Sequence, residues 1–249
     1  GGVVEYRWIV GNTATSVSFN KPVVNVVGVT TTYALAKPRF EKDGLLVEGA
    51  STNNILYSND FSVGSWSLTR ASIVSNATTA PDGTNTAFKL VEDNTANSTH
   101  TITQMQSFGS GETTTTWSIY AKAGERDEVT LTPQDGGGLI DIFGFNMTTE
   151  TFYGVGTEMI VGFDRLTDGW YRIWGTVTTS GGASTVRITV GMSLNEDITY
   201  SGDGTSGLYI FGAQIEELPF ASSYIPTTTA AVTRIVDNCT VAFENNCNS

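Results

Sequence analysis

The sequence predicts an all-β protein: an antiparallel β-sandwich preceded by an extended, strand-rich N-terminal segment. Three observations lead there. Strict period-two alternation marks residues 115–123, 170–178 and 184–190. The chain of 249 residues carries 27 glycines and an excess of Thr and Ser, which suit strands and turns. No long segment with a 3.6-residue period interrupts this pattern.

In chain order, residues 1–43 alternate Val4, Tyr6 and Trp8 with polar groups, then bring Val23, Val24, Val26 and Val27. These strands lack a core of their own, so the segment is expected to pack on something else, another subunit included, and to mediate assembly. Lys37-Pro38-Arg39-Phe40 reads as a break, because proline interrupts a sheet ladder. A boundary is placed near Gly44, giving an assembly segment at 1–43, a sandwich at 44–235 and a polar tail at 236–249.

The sandwich opens with the apolar run Leu45-Leu46-Val47, a turn-rich break at 49–54 and an extended restart at 55–57. Ser58-Asn59-Asp60 is an Asx-type corner. Phe61 and Trp66 bracket a glycine-containing loop and anchor it to a core. Residues 73–100 are polar and turn-laden, with a turn at 80–83 and a short strand at 87–91 whose Phe88 and Leu90 share a side. A strand follows at 101–105. In TTWSIYAKA (115–123), Trp117, Ile119 and Ala121 take one face, and Ser118, Tyr120 and Lys122 the other.

Residues 124–127 then turn into a return strand headed by Val129 and Leu131, which reads as a hairpin. Short strands are expected at 139–145 and 151–153. In WYRIWGTVT, Tyr171, Ile173 and Val177 lie opposite Trp170, Arg172, Trp174 and Thr176. After a glycine turn at 180–183, Val186, Ile188 and Val190 alternate with polar residues. Residues 208–215 are apolar on both sides, as a central, covered strand would be.

Composition narrows the function classes. A hydrophobic content of 39% supports a buried core. A net charge of −12 argues against nucleic acid and anionic membrane surfaces as partners. No apolar run approaches the roughly 18 residues of a membrane span, so no membrane insertion is expected. Cys239 and Cys247 lie in the polar tail, where their spacing leaves a disulfide and two free thiols equally open. One histidine, His100, is too few for a zinc site of the usual kind.

Four runs carry a resemblance: KPRFEKDGLLVEGASTNNILYSNDFSVGSW, YAKAGERDEVTL, DGWYRIWGTV and YIFGAQIEELPFASSYIPTTTAAVTR. In that order they resemble a jelly-roll module of bacteriophage tail fibres and other virion proteins, which is similar in turn to jelly-roll, concanavalin-like carbohydrate-binding modules of glycanases. The resemblance spans residues 37–234. It implies a jelly roll located in a virion, with other virion proteins as partners, and a homo-oligomer, trimeric as phage fibres commonly are. It leaves three readings open: a tail-fibre or surface-appendage component whose lectin-like module contacts host-surface glycan, a capsid-decorating or adaptor protein with a purely structural jelly roll, and a polysaccharide depolymerase fragment.

No catalysis is expected. His100 has no neighbouring cysteine and reads as a surface histidine. Glu92-Asp93, Asp127-Glu128 and Glu216-Glu217 are sequence neighbours, which on a strand point to opposite faces and form no ready acid/base pair. A glycan site asks for less: a flat aromatic and a few planar polar groups. Trp170 and Trp174 with Arg172 between them meet this, joined by Tyr120 and Lys122 on the polar face of their strand. Both tryptophans also fit a core role, since large aromatics are mostly buried. Gln214 is either a ligand contact or a satisfied buried amide. The resemblance further implies a structural calcium near the first and last strands, for which Asp60 with Glu216 or Glu217 would supply oxygens. The alternative, that Asp60 closes its own turn, is favoured because GAQIEE lacks paired aspartates. No other cofactor is expected.

Overall fold

The computed structural model describes the backbone of residues 9–13, 16–19, 39–41, 44–46, 135, 138–139 and 179, and residues 48–107, 113–134, 141–178 and 185–236 in full. Cys239 and Cys247 lie outside the described residues, as do most of the N-terminal segment and the expected glycine turn at 180–183. The chain divides into two units, residues 1–51 with 234–249, and residues 52–233.

In the first unit, β1 (Ile9–Thr13) pairs antiparallel with β2 (Ser16–Phe19), and β3 (Arg39–Glu41) with β4 (Gly44–Leu46). Arg39 and Phe40, expected in a break, therefore belong to a strand. Arg234 donates from Nη1 to Glu48 at 2.8 Å and from Nη2 to the Gly49 carbonyl.

The second unit begins within β5 (Ser51–Asn53), which pairs with the final strand β19 (Val232–Arg234). Of residues 55–57, expected to be extended, Leu56 and Tyr57 instead form a bend with Tyr57 at φ 48°, and the strand falls inside the stretch expected to be a turn. Then come β6 (Ser67–Thr69), β7 (Ala71–Thr78), β8 (Ala87–Glu92), β9 (Thr101–Ser107), β10 (Thr113–Lys122) and β11 (Glu128–Asp135). After them run β12 (Gly138–Leu139), β13 (Phe143–Asn146), β14 (Thr151–Tyr153), β15 (Ile160–Arg165), β16 (Trp170–Thr179), β17 (Thr185–Met192) and β18 (Gly207–Glu216).

Two antiparallel sheets result, one of order β15-β16-β10-β18-β8-β7 and one of order β14-β13-β11-β17-β9-β6. From β8 to β11, and again from β16 to β18, successive strands alternate between the sheets, and this gives the jelly roll. The residue 124–127 corner is thus not a hairpin. It carries the chain from one sheet to the other, because β10 pairs with β16 and β18 while β11 pairs with β13 and β17.

That corner is pinned. The Arg126 amide donates to the Gly207 carbonyl at 3.0 Å, and its guanidinium donates to the buried Glu92 carboxylate. Between the sheets lie Trp117, Ile119, Tyr171, Ile173, Leu208 and Ile210 from one side and Ile102, Leu131, Phe143, Phe145, Ile188 and Val190 from the other. Phe61 and Trp66 join this core with ring centroids 4.8 Å apart, so their loop is anchored as expected. A bulge in β18 adds one residue between the partners of Ser118 and Tyr120. Gly212, at φ 60°, absorbs it, so Phe211 faces out while Ala213 and Ile215 face the core.

Candidate glycan-facing site

Register decides which candidates meet. Lys122 faces Trp170, Tyr120 faces Arg172 and Ser118 faces Trp174 across the β10–β16 ladder. On the other flank of β10, Lys122 faces Tyr209, Tyr120 faces Phe211 and Ser118 faces Gln214. The five residues named from the alternation pattern, together with Gln214, therefore share the outer face of the six-stranded sheet.

They are not equally accessible. Trp170 is 1% exposed and packs with Ala80, Ala87 and Phe211, against which Tyr120, Leu166, Tyr209 and Tyr224 also lie. Its Nε1 donates to the Thr79 carbonyl at 3.0 Å, so the turn at 80–83 covers it and removes it as a stacking platform. Gln214 is fully buried and satisfied: Oε1 accepts from the Ile225 amide at 2.7 Å and Nε2 donates to the Ser223 carbonyl at 3.4 Å. The closing run after β18 thus lies over this part of the sheet and removes Gln214 from the accessible set as well. Tyr224 holds that run down, its hydroxyl 2.6 Å from Ser58 Oγ and its ring edge-on to Tyr120. Burial pushes the Tyr224 phenol above its ordinary pKa.

Trp174, Tyr120 and Lys122 remain half-exposed. Trp174 lies over Gly162 of β15, where a Cβ would come within 2.3 Å of the indole. The missing side chain leaves room for the ring against the edge strand. Beside it, Arg172 is nearly buried, donates from Nη2 to Ser118 Oγ at 3.2 Å, and lies 5.4 Å from the Tyr120 ring centroid. The face thus offers an aromatic plate, a phenol ring and two cations, which is a set able to stack a pyranose and hydrogen-bond its substituents.

Two of the calcium candidates, Asp60 and Glu216, have local hydrogen-bond partners. Asp60 Oδ1 accepts from the Ser62 amide and hydroxyl at 3.1 and 2.6 Å, closing its own turn. Glu216 is buried and accepts from the Ser222 amide at 3.0 Å and from the Ser222 hydroxyl, whereas Glu217 is exposed. Among the described residues no group of three or more Asp, Glu, His or Cys is placed to hold a metal.

His100, expected at the surface, is fully buried. Its ring packs 4.8 Å from that of Tyr200, and Nδ1 lies 2.7 Å from the Arg70 carbonyl, to which it must donate. Tyr200 is held there by an antiparallel bridge to Ser98.

No family model and no curated protein matches the sequence. Among solved structures, the chain is similar to the enzymatically active domain of bacteriophage CBA120 tailspike protein 4, at 14% identity and TM-score 0.42, over 66% of this chain and 21% of that one. It is similar to the CBM22-1–GH10 modules of Clostridium thermocellum endo-1,4-β-D-xylanase 10B, complexed with xylohexaose, at 11% identity and TM-score 0.38, over 72% of this chain and 30% of that one. It is also similar to the CBM22-1 xylan-binding domain of Paenibacillus barcinonensis Xyn10C, at 12% identity and TM-score 0.36, over 69% of this chain and 94% of that one. None of these likenesses carries a ligand or an activity over to this chain.

Three members of the site escaped sequence reasoning. Gly162 lies in a strand that was not expected, although Val161 and Phe163 flank it and pack on the core. Phe211 faces outward only because of the bulge at Gly212. Tyr224 belongs to an irregular run whose placement over Tyr120 has no local signature.

Proposed function

We propose that this chain is a bacteriophage virion protein, a component of a tail fibre or another surface appendage, whose jelly roll contacts host-surface glycan without turning it over. The virion assignment rests on the four ordered runs and their resemblance to fibre modules. The glycan assignment rests on one observation: Trp174 lies half-exposed on Gly162, in register with Ser118 and next to Arg172 and Tyr120. A sugar stacked on one such ring gains on the order of 1 kcal/mol, so attachment draws on several copies bound at once. Residues 1–43 supply the homo-oligomer, through which the module meets other virion proteins.

A glycan array probed with the purified chain tests this reading. Binding that is lost in Trp174→Ala, with the melting transition retained, supports it; an array with no signal at multivalent display removes it.

A second reading is a capsid-decorating or adaptor protein with a purely structural jelly roll. The burial of Trp170 and Gln214 favours it, because the closing run takes up much of the same face. Under that reading Trp174→Ala changes neither host adsorption nor virion assembly.

A further inference from the structure

The outer face of the six-stranded sheet holds a buried cation, Arg172, that has no counter-ion among the described residues. Arg172 is 7% exposed and donates to Ser118 Oγ, while its buried Nε has no partner among the described residues. Asp164 stands opposite it in register on β15 but is exposed, and no ion pair joins the two. Arg126 makes the contrast plain, since it donates from Nε and Nη2 to the two oxygens of Glu92. A guanidinium taken out of water recovers little from one hydroxyl and one ring face. Its forked donors match the paired oxygens of a carboxylate.

We infer that Arg172 receives the carboxylate of an acidic sugar, of the uronic acid type, whose ring stacks on Trp174. The inference rests on the glycan reading of this face and adds the class of sugar. Trp174 and Arg172 are two positions apart on β16, so they stand about 7 Å from each other on the same side. A pyranose bears its carboxyl group at the ring edge, and a ring seated on Trp174 directs that group along the strand to Arg172. Lys122, one row further along β10, adds a second positive charge to the face of a chain whose net charge is −12.

The test titrates the full chain with a hexameric oligogalacturonate and with its carboxyl-reduced, neutral counterpart, following the Arg Nε–H and Trp Nε1–H resonances. The Arg172 signal is identified by its loss in Arg172→Lys. The expected result is saturable movement of both the Arg172 and Trp174 signals and affinity for the acid at least about tenfold higher than for the neutral sugar. Arg172→Lys, which keeps the charge but not the fork, should lose most of that preference while its melting transition holds. If the variant does not fold, the wild-type comparison decides alone. Equal affinity for the two oligosaccharides, or movement of Trp174 without Arg172, overturns the acidic-sugar inference and leaves the glycan reading standing. Binding of neither sugar overturns the acidic-sugar inference, and the glycan array then decides the glycan reading.

Discussion

Gly162 is the seat of Trp174: a Cβ added at residue 162 would lie 2.3 Å from Cζ2 of the indole and 2.7 Å from Cε2. Close packing leaves no room for both. Gly162→Ala should therefore lift the ring off the edge strand. Expected outcomes are a red-shifted tryptophan emission and severalfold weaker glycan binding, with little loss of stability, since β15 is an edge strand. An unchanged emission spectrum would show that the ring does not depend on this seat.

The two tryptophans of β16 should separate cleanly. Trp170 is buried and hydrogen bonded to Thr79, so Trp170→Ala should cost about 3–5 kcal/mol. Trp174 is half-exposed, and Trp174→Ala should cost about 1–2 kcal/mol while abolishing array binding. Urea midpoints for both variants check this. Comparable losses would make Trp174 a core residue.

How far the sequence was legible follows from where each constraint originates. β10, β16 and β17 have one buried and one more exposed face, so Ile119, Ile173 and Ile188 announce themselves by period two. β7 and β15 are edge strands, β7 mostly exposed and β15 broken by Gly162, so neither carries a strong pattern. A turn such as 124–127 reads the same whether it closes a hairpin or switches sheets. Here the choice is made by Glu92 and Gly207, which are distant in sequence and hold Arg126. The site divides in the same way. Alternation put Arg172 and Trp174 on one face of their strand, but the cover over Trp170 comes from residues some ninety positions away.

Asn53 makes a stability prediction of a different kind. Its Nδ2 donates to the carbonyls of Ala213 and Ile225, and its Oδ1 accepts from the amides of Ile55 and Ile215. Fully buried, it ties the opening strand to β18 and to the closing run. Asn53→Ala strands four backbone groups and should cost at least about 3 kcal/mol. Asn53→Asp keeps the acceptor but turns an anion toward two carbonyls. Its deficit should shrink as pH falls and the carboxyl group protonates, whereas that of Asn53→Ala should not. Denaturant midpoints at neutral and mildly acidic pH distinguish the two.

The last prediction concerns the Glu92–Arg126 pin at the sheet-switching corner. Glu92 accepts from Arg126, from the Tyr200 hydroxyl at 2.6 Å and from the Asp203 amide at 2.8 Å. Burial pushes its pKa up, but the bonds from Arg126 and Tyr200 more than reverse this and leave it below the ordinary value of 4.5. A carboxyl group with a lowered folded pKa contributes stability that is full above about pH 4.5 and lost as pH falls through the folded value. Asp203, lowered by Ser206 and Thr205, acts in the same direction from 3.8 downward. Tyr200 is raised by burial and then by Glu92, so its contribution is full below pH 10 and lost above. The wild-type chain should therefore unfold more readily below pH 4.5 and above pH 10. Arg126→Met leaves Glu92 buried without its cation and should cost about 3–5 kcal/mol at pH 7. Adding Glu92→Gln removes the stranded charge and should recover part of that loss, because the cost lies in an unpaired anion more than in the missing attraction. A double variant no more stable than Arg126→Met would mean that the corner is held by its backbone bonds, chiefly Arg126 to Gly207, and not by the ion pair.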